Sequence, residues 1–237
     1  MQPTDPRIVA GKADVKAADG ATLIGYLARP SAAGRFPGVV VIHENRGLTE
    51  HIRDVTRRFT TAGFVAVTID ILSRAGGADK LTDGTAYSAA LAARTLSEQF
   101  ADEKAALDHL TAQPPVEAGR IGMTGYCFGG GVTWASVNAG LAVKAAAPFY
   151  GPKPADISGL AKTKIAVLGV FAELDTRITS TIPDFEAQLK LSGTPFQLKT
   201  YPGVNHAFHN DMGNERFASE QARIAWKDTV DWFKKYL

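Results

Sequence analysis

Short runs of β-branched and apolar residues alternate along this chain with longer stretches in which apolar residues recur every three or four positions. The first pattern suits strands and the second amphipathic helices. Their alternation predicts an α/β fold built on a mostly parallel sheet. Strands are expected over 22–28 (after the Asp19-Gly20 turn), 39–42, 65–69, 120–124, 143–147, 165–171 and 196–201. Val39, Val40, Val41 and Ile42 form an unbroken apolar run, as a strand covered on both faces requires. Thr49 is placed to cap a helix over 50–62, where Ile52, Val55 and Phe59 share a face before Gly63 ends it. Further helices are expected from about 86 to 110, over 132–137 and 185–191, and at the end of the chain, where Ile224, Val230, Phe233 and Leu237 make an apolar stripe. Pro114-Pro115 marks a loop, since proline continues neither helix nor central strand. Nothing repeats and no linker interrupts the pattern, so residues 1–237 are read as one domain.

Composition narrows the classes. Of 237 residues, 45% are hydrophobic and 21% charged, which suits an ordinary globular protein. Lys and Arg number 26 against 24 Asp and Glu, and the resulting +2 gives no field to hold nucleic acid or an anionic membrane. No apolar run approaches the roughly 20 residues of a spanning helix. Cys127 is the one cysteine, which excludes an intrachain disulfide and a thiolate zinc cluster. Residues 1–6 have no basic segment followed by an apolar core, and the expected compartment is the cytoplasm.

The chemistry concentrates around that cysteine. Gly125-Tyr126-Cys127-Phe128-Gly129-Gly130-Gly131 follows an expected strand and opens an expected helix, the pattern of a nucleophile elbow with sulfur in place of the usual hydroxyl. A lone cysteine is usually a small buried hydrophobe. Its place at the centre of strand, Gly-x-Cys-x-Gly and helix makes it a candidate nucleophile instead. A dinucleotide loop fits poorly, because Gly122, Gly125 and Gly129 are misplaced for G-x-G-x-x-G. In such folds an acid and then a histidine follow the nucleophile along the chain. Asp175, preferred to Glu173 on its spacing, follows the strand expected at 165–171, and His206 follows the one at 196–201. His206 would take the thiol proton and Asp175 would fix its tautomer. Metal binding through His206, His209 and Asp211 is the rival reading, disfavoured because Pro202-Gly203 argues for a loop and no third strong ligand is evident. Structural or surface roles are expected for His43, His51 and His109.

These motifs, with Val41-Ile42-His43-Glu44-Asn45-Arg46-Gly47-Leu48, Ala147-Pro148-Phe149-Tyr150-Gly151 and Gly203-Val204-Asn205-His206-Ala207-Phe208, resemble the dienelactone hydrolase family of α/β-hydrolases, in the expected order from about residue 20 to 237. The resemblance implies an α/β-hydrolase fold with about eight strands and helices on both faces, and a Cys127–His206–Asp175 triad. It also implies that Glu44 holds the resting thiol until substrate displaces it. The backbone N–H groups of Asn45 and Phe128 would form an oxyanion hole. Arg46, Arg74, Tyr150 and Phe208 are the expected substrate contacts. The chain departs from the family at one clamp for a substrate carboxylate: the arginine four residues after the histidine is Asn210 here, and the loop before Tyr87 carries Asp79, Lys80 and Asp83. The expected activity is hydrolysis of a small-molecule ester or lactone by a monomer, without cofactor or metal and without nucleic-acid or membrane partners. A thioesterase or general carboxylesterase on the same fold is the alternative, and a silent small-molecule binding protein the third.

Overall fold

Antiparallel pairing begins the chain. In the computed structural model, which describes residues 1–213 and 215–237, strand β1 (Ile8–Lys16) pairs antiparallel with β2 (Thr22–Pro30) through a turn in which Gly20 takes a positive φ of 87°. β2 pairs antiparallel with β4 (Val65–Ile69), and β4 pairs parallel with β3 (Phe36–Ile42). Val39 to Ile42 have no exposed surface, as their unbroken apolar run requires. β1 was not foreseen: only Ile8 and Val15 of its nine residues are buried, and lysines and an aspartate fill its open side.

Helix α1 (Glu50–Thr61) buries Ile52, Val55 and Phe59, and Gly63 closes it with a φ of 98°. Thr49 stands at the N-cap, but its hydroxyl makes no cap bond. After a short helix α2 (Gly77–Lys80), the helical region expected from about 86 to 110 is two helices, α3 (Gly84–Ala92) and α4 (Leu96–Thr111). Thr95 and Glu98 form a reciprocal capping box that starts α4 afresh. These elements and the first half of β5 (Val116–Tyr126) make one compact unit, Met1–Ile121.

The second unit, Gly122–Leu237, continues β5 and adds α5 (Phe128–Asn138), β6 (Ala145–Phe149), β7 (Ala166–Ala172), α6 (Thr176–Thr179), α7 (Ile182–Ser192), β8 (Phe196–Tyr201) and α8 (Ser219–Tyr236). β5, β6, β7 and β8 run parallel in that order, with Tyr126 beside Phe149, Phe149 beside Val170 and Ala172 beside Tyr201. Their carboxyl ends therefore finish level, and the loops after β5, β7 and β8 leave from one edge. Inside α8 the buried face is Ala222, Ala225, Thr229, Val230, Trp232 and Phe233, whereas Ile224 lies on the exposed side, one position off the expected stripe. In the first unit β2 runs antiparallel to both of its partners, β1 and β4, whereas β3 and β4 run parallel. Among the described residues no helix is long and apolar enough to cross a membrane.

Candidate active site

Cys127 occupies the N-cap of α5 with φ 55° and ψ −114°, a conformation that costs a side-chain-bearing residue about 1–3 kcal/mol and must be held by its surroundings. The holding contacts are backbone contacts. A Cβ on Gly125 would lie 2.1 Å from the carbonyl oxygen of Gly129, so the strand can enter the helix this sharply only with glycine there. A Cβ on Gly151 would lie 2.2 Å from the carbonyl carbon of Gly130, so the loop after β6 presses main chain to main chain against the first turn of α5. The Cys127 N–H donates to the carbonyl of Phe149 (3.1 Å), tying the elbow to the end of β6. Thr124 adds a hydroxyl bond to the carbonyl of Ala147 (2.7 Å). The sulfur sits half-buried above the N-terminus of α5, whose dipole favours negative charge.

The loops after β7 and β8 are laced together beyond the strand ends. Glu173 N–H donates to the carbonyl of Tyr201 (3.1 Å) and Leu174 N–H to that of Val204 (2.9 Å). The Glu173 carboxylate accepts the N–H of Gly203 (2.7 Å), pinning the Pro202-Gly203 turn that leads to His206. Asp175, only 8% exposed, lies 2.5 Å through Oδ2 from Nδ1 of His206. Nε2 of the same ring lies 2.9 Å from Sγ of Cys127. Facing a carboxylate, Nδ1 is the donor, which leaves Nε2 to share the thiol proton. The two acids that sequence placed within two residues thus have different partners: Asp175 meets the imidazole, and Glu173 meets the backbone of the loop that carries it.

An aromatic wall backs the imidazole. The Tyr150 ring lies 5.1 Å from that of His206, and Phe208 packs on Tyr150 (5.7 Å) and Tyr201 (5.6 Å). His209 is buried and stacked on Tyr126 at 5.2 Å. Tyr201 donates its hydroxyl to Asp228 (2.6 Å); burial, reinforced by that carboxylate, pushes the phenol pKa up. Among the described residues the positive-φ positions other than glycine are Cys127, Tyr150 (37°) and Ala207 (63°), all at this edge. Tyr150 and Phe208, expected to touch substrate, have no exposed surface and are spent on this wall. Sequence reasoning missed the wall because its members are scattered and individually read as core. Leu174, Met212 and Phe217 stand exposed on the loops after β7 and β8.

The remaining expected residues belong to the first unit. Glu44 is 8% exposed in the loop after β3, and Asn45 and Arg46 beside it are exposed. The Asn45 carbonyl accepts the Ser88 hydroxyl (3.0 Å). Arg74, expected as a substrate contact, instead places its guanidinium between Asp102 (2.8 Å) and Asp19 (2.6 Å), and Arg94 shares Asp102 (2.6 Å). The hydrogen bonds to Asp102 and Asp19 raise the Arg74 pKa still further above its ordinary value. Among the described residues no three His, Cys, Asp or Glu side chains are grouped to hold a metal ion.

A parallel sheet whose strand enters a helix through a strained elbow, with an acid and a histidine delivered by later strand ends, defines an α/β-hydrolase. The chain belongs to the dienelactone hydrolase family, whose model matches residues 23–237. A Methylorubrum extorquens protein named "Putative carboxymethylenebutenolidase" is 30% identical over 240 residues, covering 97% of this chain and 82% of its own. The crystal structure of a "Putative Dienelactone Hydrolase" from Klebsiella pneumoniae superposes with a TM-score of 0.88 at 26% identity, covering 97% of this chain and 99% of that one. Dienelactone hydrolase from Anabaena variabilis shares the fold with a TM-score of 0.75 at 20% identity, over 98% of this chain and 99% of that one. Membership points to a hydrolase acting on esters or lactones.

Proposed function

We propose that the chain hydrolyses a small-molecule ester or lactone through Cys127, with His206 as base and Asp175 as its orienting acid. The observation that carries this is the single imidazole shared between Sγ at 2.9 Å and a carboxylate oxygen at 2.5 Å. His206 accepts the thiol proton as sulfur attacks the carbonyl carbon. Asp175 stabilises the imidazolium, and the N–H of Phe128, in the first turn of α5, receives the oxyanion. The C–O bond breaks, His206 protonates the departing alkoxide or enolate, and an acyl-thioester remains on Cys127. Water, deprotonated by His206, then releases the acid and returns the thiol. An enolate leaving group suits a thiolate well, and a peptide nitrogen does not. Asn210 stands where the family's carboxylate-binding arginine is expected, and its side chain accepts the Met212 N–H (3.0 Å). Arg74 is occupied by Asp19 and Asp102, which leaves Arg46 as the proposed polar substrate contact. The favoured substrates are accordingly esters or lactones without a carboxylate to clamp.

Rapid quenching during turnover of p-nitrophenyl acetate is expected to leave an acetyl group on Cys127, located by peptide mass spectrometry. An acetyl group on another side chain, or none during steady turnover, would overturn the thioester route. The proposed resting role of Glu44 makes a second prediction. Given the role the family resemblance implies for Glu44, Glu44→Gln is expected to change the rate at which iodoacetamide alkylates Cys127. An unchanged alkylation rate removes Glu44 from that role.

A further inference from the structure

In the first unit β1 pairs with β2 alone, so its other edge is open. The register tells which residues hold that edge. The Arg7 carbonyl accepts the Ser31 N–H (2.9 Å), and the Ala17 N–H donates to the Ala21 carbonyl (2.9 Å); both pairs continue the register of β1 on β2. Main-chain bonding alternates residue by residue along an antiparallel ladder, so the odd-numbered residues of β1 direct N–H and C=O at β2. Ala10, Lys12, Asp14 and Lys16 direct theirs outward. Ile8 is already engaged, since its N–H donates to the Asp5 carbonyl (3.1 Å). The even-numbered side chains also share one face of the strand, on which Lys12, Asp14 and Lys16 are exposed.

The charges on that face complement themselves. When two copies of β1 meet antiparallel about a two-fold axis through Ala13, Lys12 of each copy faces Asp14 of the other, and Ala10 faces Lys16. All of these are outward-directed residues, so each facing pair can exchange both of its main-chain bonds. Opposite charges directly across a ladder attract, and like charges repel. Sliding the register one way sets Lys12 against Lys12. Sliding it the other way sets Asp14 against Asp14 and Lys12 against Lys16. The charge pattern therefore selects the register centred on Ala13, whose methyl group meets only its own copy on the axis. Edge lysines ordinarily discourage pairing, as do bulges and prolines. Here each Lys12 finds a counter-charge, and the strand runs from Ile8 to Lys16 without a proline or a break in register.

We propose that the open edge of β1 docks a second copy of this chain, joining two molecules through a continuous antiparallel β2–β1–β1–β2 ribbon in place of the monomer expected from the sequence. Sedimentation velocity on the full chain tests it. At about 100 µM, a concentration suited to a small interface, the wild type is expected at twice the 25.2 kDa mass of one chain. Lys12→Asp and Asp14→Lys, each alone, bring like charges face to face twice across the axis and are expected to weaken the dimer about tenfold or more. Mixed in equal amounts, the two variants are expected to dimerise again, because the acidic pair of one chain then faces the basic pair of the other. A wild type that stays monomeric, single variants that dimerise as tightly as the wild type, or a mixture that stays monomeric would overturn the proposal. Should either charge variant fail to fold by thermal melting, Lys12→Pro decides instead. It removes an outward N–H that β2 does not use, a change an edge strand tolerates. Loss of the dimer in that variant supports the interface, and a dimer as tight as the wild type overturns it.

Discussion

Cys127→Ala is expected to lower kcat on p-nitrophenyl acetate by about 10⁴-fold or more while leaving the protein folded. Alanine keeps the Cβ, so the strained elbow neither relaxes nor gains a clash. The bonds that hold it, from the Cys127 N–H to Phe149 and from Thr124 to Ala147, use atoms the substitution leaves in place. What disappears is the one atom 2.9 Å from the imidazole. Any remaining rate comes from binding and polarisation of the carbonyl alone. A variant that melts normally and still turns over ester at a tenth of the wild-type rate or better would require another nucleophile.

The second large effect is expected at Asp175. In Asp175→Asn the side chain keeps its size, but the amide can present an N–H to Nδ1 where the carboxylate presented only lone pairs. The imidazole then carries its proton on Nε2, directed at Sγ, and cannot take the thiol proton. A fall in kcat of about 10³- to 10⁴-fold follows if orientation and charge act as they do in other nucleophile–His–Asp triads. Steady-state kinetics beside a melting curve check it. The matching change at Glu173 gives a contrast already visible in the structure, since that carboxylate holds the Gly203 N–H rather than the ring. A loss in Asp175→Asn of less than about tenfold would remove the carboxylate from the proposed triad.

The legible part of the fold was its strongly patterned part. The strands over 65–69 and 196–201 have the expected ends because turn-forming residues flank each apolar run. β1 escaped because an edge strand with one wet face carries too few apolar residues to stand out. The break between α3 and α4 lies in the Thr95–Glu98 capping box, across which the spacing of apolar residues continues almost in phase. For the site, a rule of chain order drew attention to Cys127, Asp175 and His206, whose side chains do meet in space. The same rule says nothing about which charges neutralise one another. The pairing of Arg74 with Asp102, 28 positions away, is a tertiary event, and so is the complete burial of Tyr150 and Phe208. His43 was expected to be structural; its bond to the Glu44 carbonyl depends on a loop path that residue spacing does not specify.

The main-chain contact between Gly130 and Gly151 has a practical corollary for redesign. Since position 151 admits no Cβ, a saturation library there would return mostly unfolded clones rather than altered selectivity. Diversity is better spent on Leu174, Met212 and Phe217, which stand open to solvent on loops leaving the same edge and can change size without straining the elbow.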